Sequence, residues 1–286
     1  MRFLVFVVAA LFATNAFAQN DSAATKKRPW YDDFPFTETM STKGRKPVIG
    51  VFGSLSDWNI DGWNNADEMT PSGRITLGFE RRAPSSTSAS SIDKVVYDGI
   101  SLSTSFSADS ASFSAFRFGF INETGYTYKF GDGPEGISLL QASNGMQWTV
   151  LTHKDLPVDS AERQRILDFG QSVRFGSSTG PILDLRVSEN IAFRAGYEWH
   201  QVYPRHLFWY WAGSSIIEGI ADAGVTLFVN EIGASSPAAR PIMHFLLRNA
   251  VGLGFKALRS KDMNWPFATA SPLNIHTFTV GVNVVF

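Results

Sequence analysis

Between Asp57 and Glu68 the chain reads Asp57-Trp58-Asn59-Ile60-Asp61-Gly62-Trp63-Asn64-Asn65-Ala66-Asp67-Glu68, which meets the D-x-[DN]-x-[DN]-G-x5-E pattern at every specified position. That spacing suits a hard cation. Asp57, Asn59 and Asp61 offer short oxygen ligands at alternate positions, Gly62 permits the sharp turn, the Trp63 carbonyl adds a ligand, and Glu68 closes the shell with both oxygens. A second set has the residue types of a hydrolytic triad: His206, Ser214 or Ser215, and Glu218 or Asp222. No nucleophile elbow accompanies these residues, and Ser215 has a ready use as a helix cap. His153, His200, His244 and His276 stand apart in the sequence, without metal-ligand spacing. Asp32 and Asp33 are adjacent, so in extended chain their carboxylates point apart and make no acid–base pair.

The loop resembles those of EF-hand proteins, and the resemblance implies their ligand roles for Asp57, Asn59, Asp61, Trp63 and Glu68, with calcium as the cofactor. It departs from them in two ways. The flanking segments alternate like strands rather than helices, and Asn64 stands where those loops place an aliphatic residue. The plain alternative is a polar surface loop with Trp58 and Trp63 at a membrane interface, and no cofactor at all.

The elements that would carry these groups are strands. Ile75, Leu77 and Phe79 oppose Arg74, Thr76, Gly78 and Glu80; Phe116, Phe118 and Phe120 oppose Arg117 and Gly119; Ile191, Phe193, Ala195, Tyr197 and Trp199 oppose Arg194, Gly196, Glu198 and His200. The same alternation recurs in 47–56, 100–106, 126–130, 148–152, 173–175 and 183–187, with turn residues between. The turn signals include Asn122-Glu-Thr-Gly125 and Ser188-Glu-Asn190. Alternation alone leaves open which face is wet. A soluble barrel binding a small apolar ligand would hide its aromatics and expose its charges, and a membrane barrel would do the reverse.

The two ends favour the membrane. Met1-Arg2, the apolar run to Phe12 and Ala16-Phe17-Ala18 read as a secretory signal cut near Ala18, followed by a polar extension over 19–46. The final strand, Ile275–Phe286, has Phe278, Val280, Val282, Val284 and Phe286 on one face and ends on the aromatic. It resembles the closing strand of bacterial outer-membrane β-barrel proteins. The resemblance implies an outer-membrane location, lipid as the surrounding medium, and recognition of that strand by the barrel-assembly machinery.

Composition is consistent with this. Aromatics make up 14% of the 286 residues, with eight Trp and 24 Phe, which suits lipid-facing strands and interfacial girdles. A net charge of −1 argues against nucleic acid as a partner, and the absence of cysteine excludes disulfides and a lipidated N-terminus. No uncharged apolar run reaches the length of a membrane helix.

After His200 the pattern changes. Arg205–Ala212 alternates through Leu207, Trp209 and Trp211 as a strand would. Ser215-Ile-Ile-Glu218 is a capping box before apolar residues at helical spacing, Ser236-Pro237 begins a second helix, and Asn249–Leu258 alternates again. The expectation is an all-β antiparallel transmembrane barrel of about twelve strands over 47–286, within a range of about ten to fourteen. A small helical insertion at about 214–248 would pack inside the barrel, under it, or on its periplasmic rim. Arg74, Glu80, Arg117, Lys129, Arg174, Asp184, Arg186, Arg194, Glu198 and His200 are the candidate lumen-facing residues. They would line a narrow solute channel, or pair and fill a small barrel. The expected function is therefore non-enzymatic, channel-like or structural and surface-binding, with a lipase- or protease-like hydrolase as the alternative. The sequence gives no sign of the oligomeric state.

Overall fold

The structure, a computed structural model, describes residues 44–59, 69–85, 91–105, 113–153, 160–170 and 172–286. The expected signal sequence and most of the N-terminal extension lie outside those residues, as do Asp61, Trp63 and Glu68 of the acidic loop.

Period-two alternation with aromatic and β-branched residues on one face produces eight antiparallel strands: β1 (Arg45–Asn59), β2 (Thr70–Pro84), β3 (Ile92–Ser105), β4 (Phe113–Lys129), β5 (Gly136–His153), β6 (Val173–Arg186), β7 (Ile191–Val202) and β8 (Leu273–Val285). Each pairs with its neighbour, and β1 pairs with β8 from Val48↔Val285 to Asn59↔Asn274, closing the barrel. Closure leaves no strand edge unpaired, a requirement for a sheet in lipid. The start of β1 and the end of β8 lie at one end, here the terminal end, with the β2–β3, β4–β5 and β6–β7 connections. The β1–β2, β3–β4, β5–β6 and β7–β8 connections leave from the far end. The β5–β6 connection there carries helix α1 (Ser160–Phe169), and the β7–β8 connection carries α2 (Phe208–Ser235) and α3 (Arg240–Leu258).

The strand number corrects the expected count of about twelve. Asn122–Gly125 is not a turn: β4 runs straight through it, with a register shift against β5 between Gly119 and Glu123. The segments at 173–175 and 183–187 are likewise one strand, β6, which passes through Gly180-Pro181. Arg205–Ala212 and Asn249–Leu258, read as strands, belong largely to α2 and α3. Two mergers and two strands that are helices account for the difference between twelve and eight.

The wall is apolar outside and polar inside. Phe120 is 55% exposed, Val51 60% and Val280 64%, while Arg117 and Arg194 on the opposite faces of their strands are 7% and 8% exposed. Ion pairs between strands that are not neighbours, such as β2 to β6 and β4 to β7, can form only across the interior.

The helical pair lies on the outer wall, not in the lumen or on the rim. Tyr126, on the outward face of β4, meets the His244 ring edge-on at 5.1 Å. Gln141 of β5 donates to the Arg248 carbonyl, Gln201 of β7 donates to the Lys256 carbonyl, and Lys256 Nζ donates to Ser177 Oγ of β6 at 2.6 Å. These side chains alternate with interior ones: Thr127 and Ser138, the neighbours of Tyr126 and Leu139, bond each other inside. The link between α2 and α3 reaches the terminal end, where Tyr128 donates to the Ala238 carbonyl and Arg240 to that of Ser85. The hairpin thus descends the full wall and returns.

Candidate functional site

The candidate site is the barrel interior, which is filled in layers because eight strands enclose a space only as wide as facing side chains can fill. Nearest the terminal end, Glu80 of β2 accepts two hydrogen bonds from Arg186 Nη2 of β6, at 2.8 and 2.7 Å, and one from Arg82 Nε at 2.7 Å. At mid-height Arg194 of β7 donates to both oxygens of Asp184 on β6, at 2.7 and 2.8 Å, and to Glu123 Oε2 of β4 at 2.7 Å. Its guanidinium also lies 5.8 Å from the Phe52 ring centroid and 5.5 Å from that of Tyr97. Above it, Glu198 is held by Arg74 of β2, with Arg117 of β4 at 3.9 Å. His200 Nε2 meets Thr149 Oγ1 at 3.1 Å in the next layer. The far end is closed by apolar residues from five strands and α1, including Trp58, Leu151, Phe169, Leu273 and Ile275.

Between the Arg194 and Glu198 layers remains a void of ≈ 30 Å³, bounded by Arg74, Thr76, Glu123, Arg194 and Glu198. That is room for water but not for a solute. Burial without matched partners would be ruinous for these charges, and the strand register supplies the match: Asp184 faces Arg194 directly across the β6–β7 ladder.

Two of the predicted lumen residues sit nearer the ends. Lys129 pairs with Asp93 at 3.7 Å, and Arg174 donates to the Pro204 carbonyl. On the terminal rim Lys46 and Glu189 form an exposed pair at 3.0 Å, and the hydrogen bond from Lys46, with its charge, holds the Glu189 carboxyl below its usual range.

Sequence reasoning missed Glu123 because it was read as part of a turn. The signal was available: the alternation from Arg117 through Gly119 and Ile121 continues to Glu123 and Thr127 without a break. Arg82 was missed for a different reason. It lies two residues from its partner Glu80 on the same face, so no cross-barrel position identified it.

The residues of the candidate triad are each engaged elsewhere. Ser214 is buried, donates its hydroxyl proton to the Trp265 carbonyl and accepts from Arg259 Nε. Glu218 and Asp222 are engaged by Arg259 and Arg248. His206 packs against the rings of Phe175, Phe208 and Trp211. Ser215 lies inside α2 rather than at its start, because the helix begins at Phe208. Of the acidic loop, Asp57 and Asn59 end β1 at the far end and the remaining ligands lie outside the described residues. Among the described residues no group of three metal-ligating side chains converges.

No family model matches the chain, and no curated protein matches it. Among solved structures the chain is similar to Neisserial surface protein A, at 11% identity and a TM-score of 0.38, over 85% of this chain and 100% of that one. It is also similar to Ail, the attachment invasion locus protein of Yersinia pestis, at 10% identity and a TM-score of 0.34, over 85% and 97%. Likeness at this level says nothing of what this chain does, and its barrel rests on its own strand pairing.

Proposed function

We propose that this chain is an integral outer-membrane barrel that conducts no solute and acts as a structural and surface-binding protein through its outer wall and far end. The observation that carries the reading is the filled interior. Each buried carboxylate there meets an arginine, one end is capped by apolar side chains, and the void between the Arg194 and Glu198 layers measures ≈ 30 Å³. A conducting lumen needs a continuous wet path lined by groups that bind weakly enough to release their cargo. Arginines locked bidentately to carboxylates are poorly suited to that.

The outer-membrane part of the reading is supported by the apolar outward faces of the strands, the signal-like residues 1–18 and the exposed terminal Phe286. On this reading lipid is the surrounding medium, and the barrel-assembly machinery takes hold of β8.

The test is conductance in planar bilayers with protein shown to be folded by heat-modifiable migration. The expected result is folded protein and no current steps. Discrete steps from the folded preparation would overturn the closed-interior reading, and failure to insert into lipid would overturn the membrane reading itself.

A further inference from the structure

We infer that α2 and α3 form a helical hairpin that crosses the same bilayer as the barrel, with lipid acyl chains covering the outer face of α2. The inference rests on the membrane reading above and goes beyond it, since a β-barrel needs no helices to span.

The first observation is on the wall. Most outward positions on the strands are apolar and bare, but Gln141, Ser177, Thr179 and Gln201 form a polar strip across β5, β6 and β7. Each is less than 10% exposed because α3 lies over the strip. The fit is close: a Cβ on Gly252 would stand 2.7 Å from Thr179 Oγ1 and 3.0 Å from Gln141 Nε2. Polar groups facing hydrocarbon without partners are strongly disfavoured, and α3 supplies partners through its carbonyls and Lys256.

The second observation is on α2. Its 28 residues give a length of about 42 Å at 1.5 Å per residue, against a hydrocarbon core of about 30 Å. The helix is long and apolar enough to cross a membrane. The polar residues of its first half turn inward: Glu218 is bonded by Arg259 and Asp222 by Arg248, both toward α3, with Ser214, Val229 and Gly233 buried along the same line. Half a turn away runs an unbroken apolar stripe of Trp209, Ile216, Ile220 and Leu227, of which Trp209 is 83% and Leu227 68% exposed. Glu231, four residues beyond Leu227, ends that stripe four residues before the helix stops, which on this inference puts its carboxylate at headgroup depth.

The order from the barrel outward is thus a polar strip, a helix that satisfies it, and a helix that restores an apolar exterior. Charges paired toward the protein with an apolar face outward is the arrangement expected of a helix in lipid. Water as the neighbour would leave that stripe exposed for no gain.

The chain has no cysteine, so single variants can be spin-labelled cleanly. Ile220→Cys and Leu227→Cys would be compared in liposomes with Phe120→Cys and Val51→Cys on the bare barrel wall, using collision with oxygen and with a water-soluble nickel chelate. The expected result is that both α2 positions favour oxygen by the same ratio as the barrel positions. If the barrel positions favour oxygen and the α2 positions favour nickel, the hairpin lies in water and the inference fails alone. Protection from both reagents would mean that protein covers α2 and would also overturn it. Nickel access at all four positions would mean that the membrane reading has failed. Ile216→Cys replaces either helix variant that does not fold.

Discussion

Arg194 holds two carboxylates from different strands at the centre of the barrel, and replacing it with methionine gives the most direct measure of what the interior network contributes. The wild-type residue makes three charge-assisted hydrogen bonds, at 2.7, 2.8 and 2.7 Å. Each is worth about 1.5–3 kcal/mol when taken singly, but the three share one guanidinium and are not additive. Arg194→Met keeps the aliphatic bulk between Phe52 and Tyr97 and leaves Asp184 and Glu123 without their shared cation. Breaking a buried pair in this way costs about 3–5 kcal/mol. With a urea slope of about 2–3 kcal/mol/M the unfolding midpoint should fall by about 1–2.5 M. The assay is urea unfolding in liposomes, followed by the change from folded to unfolded gel mobility. A second variant, Arg194→Met with Asp184→Asn and Glu123→Gln, removes the stranded charges and should recover at least half the loss. A single variant within about 1 kcal/mol of wild type, the range of exposed pairs, would refute the reasoning. So would a triple variant no more stable than the single one.

Further expectations concern other parts of the molecule. Gly252→Val should push α3 off Thr179 and Gln141, costing about 1–3 kcal/mol of overpacking; the hairpin should become susceptible to protease in micelles while the barrel stays heat-modifiable, and unchanged resistance would sink the close-contact argument. Glu189 has a lowered folded-state pKa, so its small contribution is present above the unfolded value of about 4.3 and lost as pH falls through the folded one. Because the pair with Lys46 is exposed, Glu189→Gln should leave the unfolding midpoint at pH 7 where it was, and a clear drop would contradict the screening argument. For the acidic loop, isothermal titration of wild type against Asp61→Ala separates the two readings: a calcium heat that vanishes in the variant assigns the loop to the metal, and identical traces assign it to the surface.

The strands were legible in the sequence wherever one face stayed uniformly apolar, as in β2, β7 and β8. What misled was local chemistry overridden by the closed sheet. Asn122-Glu-Thr-Gly125 has turn composition, but Glu123 is needed opposite Arg194, and Gly125 sits with its α-carbon so near the Leu139 carbonyl that a Cβ would stand 2.0 Å from it. The segments 173–175 and 183–187 alternate as separate strands, with Gly180-Pro181 between them. That dipeptide occupies the stretch of β6 where the ladder to β7 skips from Thr179↔Trp199 to Ile182↔Gly196, so the missing proline N–H interrupts little. In α3 the alternation of Val251, Leu253 and Phe255 with Gly252 and Gly254 imitated a strand. Gly252 is small for another reason, its close approach to the wall.

The hairpin could not be placed from sequence because its helices are amphipathic toward different partners, and single-sequence periodicity reports only that an apolar face exists. On α2 the polar face meets α3, and on α3 it meets both α2 and the polar strip of the barrel. The deciding information is therefore in the wall: Gln141, Ser177, Thr179 and Gln201 are outward polar residues that cluster on adjacent strands and are buried rather than bare. Such a strip on a membrane strand calls for a cover. That dependence predicts a coupling: replacing Gln141 with leucine should cost stability while α3 is in place, because the Arg248 carbonyl and Thr179 lose a donor. The same substitution in a variant lacking 208–258 should cost less or stabilise, because leucine then faces lipid directly. Equal effects in the two backgrounds would mean that α3 does not cover the strip in the folded protein.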